Sequence, residues 1–349
     1  MTADIPGTRP VPGDYAPPPD QLMRRRWLDA DRAHRPGRLE RLRAHMAEAG
    51  VDAYFGARPE HMRWLTGFTL GDGEEKVAGH SGQFLVGADE VVLLADSRYT
   101  VQARREAPEV TVEDVGYDLP GAWAGLLERL GARRVALEAA AIPHAAWTRL
   151  EAAAPDVEHR PVDGWVEAMR ATKTADEVER IRAACAVADR ALSALLPEIR
   201  PGVTEHDLAL RLEWLIRTGG AEALAFDVAC LSGPEAALPH GAPGDRPVLD
   251  GAVLLFDFGA QVEGYRSDMT RTLFVGEPAA RDLALYDVVR RAQAAVIERL
   301  EAAVAARDGG PLPDGRALDA VARAVIDADG RWPAYGHGLG HGIGLATHE

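Results

Sequence analysis

The chain is expected to be an α/β (α+β) protein of two domains, the second built around a strand that ends in a carboxylate. Three observations predict this. Short apolar strand patterns alternate with helical spacing from Gly37 to Val162. A helix-start signal, Thr174-Ala175-Asp176-Glu177, then marks a boundary at Lys173. Beyond it, LLFDFG at residues 254–259 and GHGLGHGIGLATHE at residues 336–349 set acidic and imidazole groups among apolar and glycine residues.

Taken in order, residues 1–36 hold Pro6, Pro10, Pro12, Pro17, Pro18 and Pro19 with few apolar residues, so a disordered leader is expected there. The first domain is expected over 37–165. Leu39, Leu42 and Met46 recur at helical spacing, Gly50 ends that run, and VDAYFG follows as a short strand. QFLV and EVVLLAD flank a turn around residues 87–89 and predict a hairpin. Helical patterns near residues 99–107 and 122–130, with RRVALE as a further strand, carry the α/β rhythm to a close near Val162.

The second domain is expected over 173–349 and opens with a long helix to Leu196. Thr204 with Asp207 signals a second helix start, and Gly219-Gly220 its end. Leu208, Leu210, Leu212 and Leu215 are its core candidates.

Composition narrows the function. A chain of 349 residues with 47% hydrophobic residues can bury two ordinary cores. Its net charge of -15 and lack of a basic stripe argue against nucleic acid or an anionic membrane surface as partner. Cys185 and Cys230 have no metal-type spacing and are expected to be reduced core residues. No apolar run approaches the roughly 20 residues of a membrane helix, and the N-terminus is not signal-like, so a cytoplasmic enzyme is expected.

AVLLFDF and YRSDMTRTLFV are expected to pair as antiparallel strands, with Asp257 and Asp268 facing each other. Opposed residues stand about 5 Å apart, close enough for two carboxylates to bridge metal ions spaced about 3.5–4 Å. Either aspartate alone would more often serve a turn hydrogen bond; a carboxylate within LLFDF, however, is costly to bury without a cation or several donors. In the terminal segment His337, His341 and His348 are separated by glycines that exclude a stable helix and allow close backbone approach. An extended or looped backbone is expected; if extended, it puts His337 and His341 on one face and His348 on the other unless a bulge intervenes. His240 occupies a Pro/Gly-rich turn, SGPEAALPHG, ahead of the Asp257 strand, where a histidine is usually a surface residue.

These residues resemble the pita-bread metallopeptidases, family M24, in the Xaa-Pro aminopeptidase and Xaa-Pro dipeptidase branch with a creatinase-like N-terminal domain. WLTGF, SGQFLV and ADSRYTVQA carry the likeness in the first domain; ALPHG, FDFGAQVEGYRSDMTRT and GHGLGHGIGLATHE carry it, in the same order, in the second. The resemblance implies a creatinase-like α/β domain followed by an incomplete pita-bread catalytic domain. It implies Asp257, Asp268 and His341 as metal ligands, His240 and His348 as substrate-contacting catalytic histidines, and His337 as a further active-site histidine.

By the same resemblance two divalent ions are implied, manganese first and cobalt, zinc or iron as alternatives. The substrate would be a proline-containing peptide, cleaved at the Xaa-Pro bond by hydroxide, and the protein a homodimer or larger homo-oligomer. The family's two remaining ligands are glutamates downstream of the HE pair, so the chain is expected to be C-terminally truncated relative to the family. That leaves a catalytically inactive peptide- or protein-binding module as the alternative. A metal-free creatinase-type hydrolase is disfavoured by the retained aspartates, and methionine aminopeptidases by the additional first domain.

Overall fold

Asp20 starts the first helix. Its side chain accepts a hydrogen bond from Met23 N at 2.7 Å, and Gly50, with φ of 65°, ends helix α1, Gln21–Ala49. The computed structural model describes residues 15–70, 81–306, 311–333 and 335–349. Pro6, Pro10 and Pro12 of the expected leader lie outside the described residues. The rest of that expectation is corrected: α1 begins inside it, because Pro17, Pro18 and Pro19 precede the cap while Trp27, Leu42 and Met46 line one buried face behind it. Pro36 is carried within the helix.

The chain divides into two units, residues 20–176 and residues 177–349, the latter grouped with 15–19. In the first, β1 (Ala53–Gly56) is followed by α2 (Pro59–Thr66), β2 (Gln83–Val86), β3 (Val91–Ala95) and α3 (Thr100–Glu106). Then come β4 (Thr111–Asp114), α4 (Leu119–Arg129), β5 (Arg134–Glu138), α5 (His144–Ala153), β6 (Glu158–Val162) and α6 (Trp165–Ala171). One mixed sheet results, in the order β4-β3-β2-β1-β5-β6. β2 and β3 form the expected hairpin, and Phe55, Leu85, Leu94, Trp123, Val135 and Leu137 fill the core against α4 and α5.

In the second unit α7 (Ala175–Leu195) begins where the start signal predicts, and Glu177 accepts a hydrogen bond from the Tyr265 hydroxyl at 2.8 Å. Helix α8 (Glu205–Thr218) is capped by Thr204, whose hydroxyl accepts from Asp207 N at 3.0 Å. Its core face is Leu208, Leu212 and Ile216, the i, i+4 ladder of a helix. Leu210 is 51% exposed because, two residues from Leu208, it turns to the opposite face; Leu215, seven residues from Leu208, lies at the edge of the core face and is half-buried.

The strands β7 (Ala223–Leu224), β8 (Ala229–Ser232), β9 (Val253–Phe258), β10 (Ala260–Val262), β11 (Tyr265–Arg266) and β12 (Met269–Phe274) form two three-stranded sheets, β11-β10-β7 and β12-β9-β8. Helices α9 (Ala280–Ala305) and α10 (Gly315–Asp329) pack on each other through Val288, Ala292, Ala322 and Ile326. Among the described residues no helix is long and apolar enough to cross a membrane. Cys185 and Cys230 are both free, Cys230 within the core.

Candidate metal centre

The alternation in β9 decides where its carboxylate points. Leu254, Phe256 and Phe258 are buried on one face, which turns Val253, Leu255 and Asp257 to the other, half-open one. β9 and β12 pair antiparallel as the sequence predicts, but the register differs from expectation. Asp257 stands opposite Thr270 on one side and Ala229 on the other; it does not stand opposite Asp268. The reason lies in the connection, where β10 and β11 close a two-residue turn at Glu263 and Gly264, both with positive φ, and join β7 in a separate sheet. Pairing with β9 resumes only at Met269, so Asp268 sits just ahead of β12, diagonal to Asp257.

The Asp257 carboxylate accepts a hydrogen bond from the Thr270 hydroxyl at 3.1 Å. Its pKa is raised, first by burial and then by the charge of Asp268; Thr270, His341 and His240 oppose the rise. Asp268 in turn lies 3.3 Å, Oδ2 to Nε2, from His341.

The terminal segment is not extended. Glu349 N donates to Gly342 O at 3.0 Å and Gly344 N to Ala346 O at 3.1 Å, folding the chain back on itself. His341 and His348 therefore lie side by side, ring centroids 4.3 Å apart, as the looped alternative allows and an unbulged extended backbone would not. The fold-back is anchored to the aspartate hairpin: Arg266 N donates to Gly344 O at 2.8 Å, and its guanidinium to Thr347 Oγ1 at 3.1 Å. His337 stands apart, its ring 5.1 Å from that of Tyr335 and its carbonyl oxygen accepting from Arg323 at 2.8 Å. Among the described residues it makes no hydrogen bond or ring contact with the other candidate histidines. His240 is exposed on its loop, and its electrostatic effect on Asp257 is the smallest of those that oppose the rise.

Two sequence models cover almost all of this architecture. The model of metallopeptidase family M24 matches residues 179–349, and that of the creatinase/prolidase N-terminal domain matches residues 38–172. The Xaa-Pro dipeptidase of Pyrococcus furiosus is 30% identical over 312 residues, 89% of this chain and 83% of that protein. The chain belongs to metallopeptidase family M24. Among solved structures, this M24 chain is similar to the Xaa-Pro dipeptidase from Bacillus anthracis, at 31% identity and a TM-score of 0.79, covering 90% of this chain and 83% of that one. It is also similar to the X-Pro aminopeptidase from Thermotoga maritima MSB8, at 33% identity and a TM-score of 0.77, covering 89% and 83%. Its two units are thus a creatinase-like N-terminal domain and an M24 pita-bread domain.

M24 peptidases are metal-dependent, and the donor set here suits a hard divalent cation. Burial first and the charge of Asp268 second raise the Asp257 pKa, and a cation held by the two carboxylates would offset both. Among the described residues no three His, Cys, Asp or Glu side chains close into one metal-binding group.

One residue of the site's surroundings escaped sequence reasoning. Glu205, next to the Thr204 cap, is wholly buried and receives donors from both ends of the loop that carries His240. An acidic residue in a first helical turn is so ordinary that no signal in the sequence separates it from a dipole partner.

Proposed function

We propose that this M24 peptidase hydrolyses the bond between an N-terminal residue and a following proline, in dipeptides or longer peptides. The observation that carries the reading is the approach of His341 to Asp268 at 3.3 Å, with Asp257 electrostatically coupled to both. It brings together two motifs distant in sequence. The Xaa-Pro activities named for the Pyrococcus, Bacillus and Thermotoga relatives supply the substrate class.

Asp257, Asp268 and His341 would hold divalent ions, manganese first. When bound, such ions lower the pKa of water from 15.7 to about 7 and polarise a carbonyl. Around them the chain's own groups have separate tasks. The Thr270 hydroxyl orients the Asp257 carboxylate. His348, beside His341, and His240, on its exposed loop, would donate hydrogen bonds to the scissile carbonyl as negative charge develops on its oxygen. His337 would contact the substrate farther from the reacting carbon. Homo-oligomerisation belongs to the same reading, and light scattering after size exclusion checks it.

The deciding experiment is release of the N-terminal residue from Xaa-Pro peptides by the purified protein with and without manganese, against Xaa-Ala controls. Metal-dependent release confined to the proline series is expected. Peptides left intact at every metal tested would sink the assignment. A second reading, peptide binding without turnover, is favoured by the lack of a closed group of three metal-type side chains among the described residues. Calorimetric binding of the same peptides without product would establish it.

A further inference from the structure

Glu205 is fully buried in the first turn of α8, yet it carries a charge. Its Oε1 accepts from Ser232 N at 2.8 Å, Ser232 Oγ at 2.7 Å and Arg246 Nε at 3.2 Å. Its Oε2 accepts from Gly244 N at 3.1 Å and Arg246 Nη2 at 2.8 Å. Burial alone pushes this carboxyl up; the Ser232, Arg246 and Gly244 donors outweigh it and hold the pKa below the ordinary value.

These donors come from two places. Ser232 is the last residue of β8, where the chain leaves the sheet, and Gly244 to Arg246 is where it returns to α8. The backbone repeats the connection: Glu205 N donates to Arg246 O at 3.1 Å and His206 N to Gly244 O at 3.0 Å. Residues 233–243, with His240 among them, lie between these two fastened ends, and Gly233–Ala237 form a 3-10 helix against β8 and β9. β8 also pairs with β9, placing Ala229 opposite Asp257, so Ser232 has a fixed relation to the candidate metal ligand.

We propose that Glu205 is a positioning residue, fastening both ends of the 233–243 loop to one carboxylate and so fixing where His240 stands. Its role rests on the Xaa-Pro peptidase reading, in which His240 contacts substrate. An apolar residue there would leave the Ser232 and Gly244 N–H groups without acceptors; a glutamine would turn an NH2 toward donors on one side. Either change frees the loop while leaving Asp257, Asp268 and His341 on other elements.

The test is a double-mutant cycle of Glu205→Gln and His240→Ala, read as kcat/KM on an Xaa-Pro peptide with manganese. Glu205→Gln is expected to lose about tenfold to a hundredfold in the native background, the scale of a misplaced catalytic group. In the His240→Ala background it should lose no more than about twofold, because the group it positions is already gone. Equal losses in both backgrounds would show that Glu205 acts on stability or elsewhere, and overturn the proposal.

A second measurement needs no activity. Hydrogen exchange of the 233–243 amides is expected to accelerate at least about tenfold in Glu205→Gln with α8 unchanged, and an unchanged loop overturns the proposal. A native protein inert toward Xaa-Pro peptides overturns the functional reading instead, and the exchange result still stands by itself. If Glu205→Gln does not fold, Arg246→Gln removes two of the donors from a half-exposed side chain and is read the same way.

Discussion

His341 Nε2 lies 3.3 Å from Asp268 Oδ2, tying the glycine-rich terminal segment to the start of β12. If both are metal ligands, Asp268→Asn and His341→Ala should each weaken manganese binding by at least about a hundredfold, since loss of mere supporting contacts already costs 10–100-fold. Titration calorimetry on the metal-free protein measures this. Native affinity in either variant would remove that residue from the ligand set.

Asp257 carries a penalty in the metal-free protein. Burial first and Asp268 second raise its pKa, so the folded chain binds this proton more tightly than the unfolded chain. The associated stability is present below the ordinary value of 3.8 and lost as pH rises through the raised folded value. At pH 7 Asp257→Asn should therefore raise the melting temperature of metal-free protein by about 2 °C while abolishing the gain that manganese gives the native chain. A lower melting temperature for the variant would contradict the repulsion described here.

Glu138, at the end of β5, shows the opposite sign. It accepts from the Tyr54 hydroxyl, from His61 Nδ1 at 2.5 Å, and from the N–H groups of Ala57 at 2.8 Å and Arg58 at 2.9 Å. Burial works against its charge, but His61, Tyr54 and Ala57 prevail and lower its pKa from 4.5. Its stability is fully present above the ordinary carboxylate value and is lost as pH falls through the depressed folded one. Glu138→Gln should cost about 3 kcal/mol at pH 7 and less in acid, where the native chain has lost the same contribution. Denaturant melts at pH 7 and pH 3 give both numbers; an equal cost at the two would contradict the sign.

Gly259 follows the Asp257 strand where the backbone turns toward β10. A Cβ there would lie 1.9 Å from Ser267 O and 2.8 Å from the Ala225 side chain. Gly259→Ala should destabilise by about 3 kcal/mol and displace Asp268, next to Ser267, with loss of metal affinity. A variant with native stability and native affinity would mean that this backbone approach is not needed.

What the sequence made legible was whatever depends on a period. The β2 and β3 hairpin, α7 at its start signal and the β9 and β12 pairing all follow from alternation or capping. The register around Asp257 was not legible, because the short β10 and β11 strands looked like connecting turn and yet consume residues before pairing resumes. Helix α1 was hidden because proline content averaged over the leader masks that Pro17, Pro18 and Pro19 all precede the Asp20 cap. Glu205 was invisible for a different reason: its partners, Ser232, Gly244 and Arg246, meet it only through tertiary folding.

The segment bearing His341 is gripped at both ends, by Arg323 through the carbonyl oxygens of Tyr335 and His337 at 3.0 and 2.8 Å, and by Arg266 through Gly344. Between the grips the chain is fastened again at Gly342, whose carbonyl oxygen accepts from Glu349 N at 3.0 Å, and the His341 imidazole is flanked by Asp268 and His348. A cation of unsuitable radius would have to shift these fastenings together, so the imidazole would share with the carboxylates in discriminating among first-row metals.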